Sequence, residues 1–68
     1  MLLSRKEEVR IILETLIDKR AKLIGTIGTI KFWAYKSDTP LDESEIYLRA
    51  KANLQIVENQ IKSYEELL

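Results

Sequence analysis

Gly25-Thr26-Ile27-Gly28-Thr29-Ile30-Lys31-Phe32-Trp33-Ala34-Tyr35 admits two readings, and the fold turns on the choice. Each glycine costs about 1 kcal/mol in a helix interior, and the β-branched and aromatic residues around them suit a strand. A lone strand finds no ladder partner elsewhere in 68 residues, so its backbone polar groups would go unmet. A helix instead sets Ile27, Ile30 and Ala34 on an apolar stripe that begins at Val9. The helical reading is the one the rest of the chain supports.

Working outward, Val9, Leu13, Leu16, Arg20, Leu23, Ile27 and Ile30 alternate spacings of four and three. Tyr47, Ala50, Leu54, Val57, Ile61, Tyr64 and Leu68 do the same, and the two sets mirror each other: Val9 with Leu68, Leu13 with Tyr64, through to Ile30 with Tyr47. A chain doubled back between Asp38 and Thr39 brings every such pair to one level. The expected fold class is all-α, a single domain over residues 1–68 forming an antiparallel two-helix hairpin of coiled-coil type. Helix one is expected over about 4–36, the turn at 37–39 and helix two over about 40–67.

Local signals agree. Ser4 with Glu7 fits a capping box, Thr39 suits an N-cap, Pro40 the first helical position, and Asp42 the positive end of helix two. Arg10–Glu14, Asp18–Lys22, Glu45–Arg49, Glu58–Lys62 and Lys62–Glu66 lie four apart, each contributing tenths of a kcal/mol, while Glu14–Asp18 is unfavourable. Arg20 sits in the stripe opposite Val57. It either specifies register as a buried polar group, or lays its stem on Leu16 and Leu23 and sends its guanidinium toward Glu58 or solvent.

A chain this short buries only about 60% of its unfolded surface. Two helices meeting along one seam leave their remaining sides wet, so help from a partner is expected. Ala21, Gly25, Gly28, Phe32 and Tyr35 line a second face of helix one, offset by roughly 100° or more from the seam, where small residues admit a close backbone. Leu48, Ala52 and Ile56 form an extra stripe on helix two, and Ile12, Ile17 and Ile24 widen the apolar band of helix one to about 140°. Two hairpins related by a two-fold axis would cover these surfaces as a homodimeric four-helix bundle. Phe32, Trp33 and Tyr35 fall at the closed end. They either plug the bundle or form a partner-binding anchor, and Trp33 lies off the main stripe.

Charge is balanced overall, with eleven basic and eleven acidic side chains, but divided: residues 1–36 carry a net +4 and residues 37–68 a net −4. Opposite signs favour pairing of the two arms with each other. The alternative is a basic first helix that meets nucleic acid through Arg5, Lys6, Arg10, Lys19 and Lys22. With neither His nor Cys, disulfides, thiolate or imidazole metal sites and His-dependent catalysis are excluded. Adjacent carboxylates such as Glu7-Glu8 and Glu65-Glu66 point about 100° apart on a helix and do not converge. No catalytic, cofactor or metal residue is assigned. The uncharged run from Leu23 to Ile30 is too short to span a bilayer, and the N-terminus lacks the apolar core of a signal peptide, so a cytoplasmic protein is expected.

In architecture alone, without a shared motif, the hairpin resembles the Rop family of RNA-binding plasmid regulators. Ser37-Asp38-Thr39-Pro40-Leu41-Asp42-Glu43-Ser44, followed by Leu54, Val57, Glu58 and Ile61, is similar to the turn and second helix of the exonuclease VII small subunit, over less than half of the chain. Those likenesses imply, respectively, a nucleic-acid-binding regulator and an accessory subunit of a larger complex. The residues themselves point to a small non-enzymatic interaction module that self-associates through helix faces and presents one to a protein partner.

Overall fold

Ser4 opens the first helix. The computed structural model describes residues 2–68, and in it the Ser4 hydroxyl accepts from the Glu7 N–H at 3.2 Å. The capping box is modified: the Glu7 carboxylate accepts from that same hydroxyl at 3.2 Å. Helix α1 then runs from Arg5 to Ser37. Its 33 residues span about 50 Å, close to the 54 Å length of the whole molecule.

The disputed segment is helical throughout. Thr26 donates its hydroxyl proton to the Lys22 carbonyl at 3.0 Å, and Thr29 to the Gly25 carbonyl at 3.1 Å. Those β-branched residues thus satisfy their polar groups on the helix itself. Leu23, Ile27 and Ile30 are half-buried, so packing of the stripe outweighs the propensity cost of the two glycines.

α1 ends where Asp38 turns left-handed, at φ 55° and ψ 39°. The Asp38 N–H donates to the Tyr35 carbonyl at 3.4 Å and the Thr39 N–H to the Ala34 carbonyl at 2.9 Å, a Schellman pattern with aspartate where glycine is usual. The expected start of helix two at Pro40 is corrected. Pro40 is extended, with ψ 131°, and leads into a single 3-10 turn, Leu41–Glu43. Helix α2 runs from Glu45 to Glu65, capped by Ser44, whose hydroxyl accepts from the Tyr47 N–H at 3.2 Å. Thr39 caps nothing; its hydroxyl meets that of Ser37 at 3.0 Å. Leu41 in this extra turn is half-buried before α2 starts.

The two helices pack along the mirrored stripe. Val9, Leu13, Ala50, Val57 and Ile61 are buried, and the other stripe residues are half-buried except Leu68. The core is uneven along the rod. Val9, Leu13, Val57 and Ile61 cluster at the end away from the turn, with Leu16, Leu23 and Tyr64 packed against them, whereas near the turn only Ala50 is buried.

Charge pairing between the arms is not realised. The ion pairs among the described residues are Lys22–Asp18 at 3.0 Å and Arg49–Glu45 at 3.8 Å, both within one helix and well exposed. Long side chains on a wet surface gain too little from pairing to be held across the seam. Arg20 is half-buried opposite Val57 and bridges to no carboxylate, Glu58 included. No guanidinium nitrogen of Arg20 is buried without a partner.

Candidate interaction surface

Hairpin geometry leaves an unusual amount of surface uncovered. The chain exposes 5676 Å², against about 4,450 Å² for a compact monomer of this mass. Its radius of gyration is 15.8 Å, where a globular chain of this length has about 11 Å.

The uncovered area is not of one kind. From Arg5 to Lys22, α1 carries ten charged side chains; from Leu23 to Tyr35 it carries one, Lys31. α2 covers a single side of that uncharged stretch, and Ile24, Phe32, Trp33 and Tyr35 all remain exposed, Tyr35 at 87%. Trp33 and Phe32 meet edge to face at 5.9 Å between centroids, and the Lys36 ammonium lies 5.2 Å from the Phe32 ring. The aromatics therefore pack on one another along the outside. Within the hairpin Phe32, Trp33 and Tyr35 are all exposed, and of this run only Ala34 falls on the stripe.

Shallow grooves flank the closed end. A groove of about 310 Å³ runs beside Trp33 and is bounded by Thr29, Ser37, Ser44 and Ile46. Another, of about 450 Å³, lies by Lys31, Tyr35, Pro40 and Leu41 on the other flank. Ile46, 68% exposed beside Trp33, escaped the sequence reading. Its position next to the stripe residue Tyr47 is the signal that marks it.

The nine residues expected to form a partner face divide into three patches, all exposed. Ala21, Gly25, Gly28, Phe32 and Tyr35 share one side of α1. Trp33, about 100° around from Phe32 and in ring contact with it, borders the groove with Ile46, and Leu48, Ala52 and Ile56 form a stripe on α2. A Cβ at Gly25 or Gly28 would meet no neighbouring atom within 4 Å, so neither glycine is required by packing inside the hairpin. The cations also separate. Arg5, Lys6, Arg10, Lys19 and Lys22 are exposed, but Arg10 and Lys19 lie about 180° apart around α1, and Lys22 is engaged by Asp18.

Among the described residues no three carboxylates gather as a metal cage, and no helix is long and apolar enough to cross a membrane. No protein-family model, curated protein or solved structure matches this chain.

Proposed function

We propose that this protein is a non-enzymatic assembly module: a hairpin that pairs with a second copy as a four-helix dimer and offers a remaining helix face to a protein partner. The observation that carries this reading is the near absence of charge around α1 from Leu23 to Tyr35, on sides that α2 leaves open. A helix apolar on several sides is ordinarily covered on several sides. Light scattering on the purified chain tests it, with twice the 8.0 kDa chain mass expected. A helical species that stays at 8.0 kDa up to high micromolar concentration overturns the dimer.

A second reading, a nucleic-acid-binding regulator of Rop-like plan, draws on the net +4 of residues 1–36. A gel shift with duplex and structured RNA that weakens steeply with salt would favour it; no shift at low salt removes it. An isolated chain that is unfolded favours the accessory-subunit reading, in which a larger partner supplies the missing cover.

A further inference from the structure

Resting on the self-association just proposed, we infer that the second copy docks antiparallel along one side of α1, centred at the level of Thr26. Ile17, Ala21, Ile24, Gly28, Lys31 and Tyr35 repeat the four-three spacing of the main seam, about 100° around the helix from it. All six are exposed, with Ile24 at 54% and Tyr35 at 87%. Laid antiparallel on itself, this stripe pairs Ile17 with Tyr35, Ala21 with Lys31 and Ile24 with Gly28 of the other copy, then repeats in reverse. Large side chains meet small ones at its centre, the arrangement in which facing layers interdigitate. The open space above Gly28 receives Ile24 of the second copy.

Competing arrangements fare worse. A parallel pairing of the same stripe sets Lys31 on Lys31 and leaves Gly28 facing Gly28 across a void. On the opposite side of the hairpin, Trp33 and Ile46 at one end and Ile12 and Leu67 at the other are separated by Lys19, Thr26, Asn53 and Gln60, polar groups that a pairing there would have to bury. The outer stripe of α2, Leu48, Ala52 and Ile56, is short and ends against Glu45 on one side and Asn59 on the other. The rod exposes about 1,200 Å² more than a compact monomer of its mass, a surplus spread over the whole hairpin that side-by-side pairing of two rods reduces. α2 presents Leu48 but also Lys51 and Glu58 on the docking side, so the contact is made chiefly by α1.

Sedimentation equilibrium of the full chain and three variants, each checked for helical content by circular dichroism, tests the assignment. Ile24→Asp is expected to weaken the dimer at least tenfold. Gly28→Leu, which favours helix yet fills the receiving space, is expected to weaken it comparably with no loss of helical signal. Trp33→Asp is expected to change it less than twofold. A dimer that withstands Ile24→Asp and Gly28→Leu but dissociates with Trp33→Asp overturns this docking mode and leaves the self-association reading intact. A monomeric parent chain overturns both.

Discussion

The half of the hairpin near the chain ends and the half near the turn are built from the same stripe and yet differ in kind. At the first, Val9, Leu13, Val57 and Ile61 are buried beneath an exterior rich in charge, though Ile11, Ile12, Ile17 and Leu67 are also exposed there. At the second, Ala50 alone is buried, and isoleucine and aromatic side chains face outward. The first half supplies most of the internal packing, while the second leaves more of its apolar side chains uncovered by the hairpin. A shared periodicity therefore does not imply a shared task.

The contrast is sharpest in truncations. Ile61→Ala should lower stability by about 2–5 kcal/mol, read from the urea midpoint, while Ile46→Ala, near the turn and off the proposed docking stripe, should cost under about 1 kcal/mol because the side chain is 68% exposed. Equal losses at the two sites would erase the distinction. The turn can be probed next: Ser44→Ala should cost about 1 kcal/mol through loss of the α2 cap, whereas Thr39→Ala should stay within about 0.5 kcal/mol. A reversal would restore the start of helix two at Pro40. Gly25→Ala should raise thermal stability by somewhat under 1 kcal/mol, since its new methyl group meets open space. The smallest effect belongs to the charged half, where Lys22→Gln, which removes the Asp18 ion pair, should cost only a few tenths of a kcal/mol and lose even that in high salt.

Much of this architecture was legible in the sequence because a seam leaves a period. Thirteen of the fourteen mirrored positions are buried or half-buried, and the exception, Leu68, is the last residue of the chain. The helical reading of Gly25 to Tyr35 followed from the same period. Where α2 begins did not. Thr39-Pro40 and Ser44 are both credible starts by local chemistry; the chain takes a 3-10 turn over Leu41–Glu43 first, in which Leu41 is half-buried, and α2 starts after Ser44. The charge division was visible too, but its consequence was misread, since net charge on an arm says little about which long side chains are held in place. The aromatic run reads either as a bundle plug or as a partner anchor; angular position already sets Phe32 and Tyr35 on a second face and Trp33 off the stripe, and all three are exposed on the hairpin.

The placement of the core has a kinetic corollary. Val9 and Ile61 lie about fifty positions apart, so zipping upward from the turn gains little apolar burial until late, whereas direct closure must restrict a long loop at the outset. Either route makes folding slower than is usual for chains whose helix contacts are local. Substitutions at Val57 or Ile61 should then act mainly on the unfolding rate if their contacts form after the transition state, and on the refolding rate if they form before it.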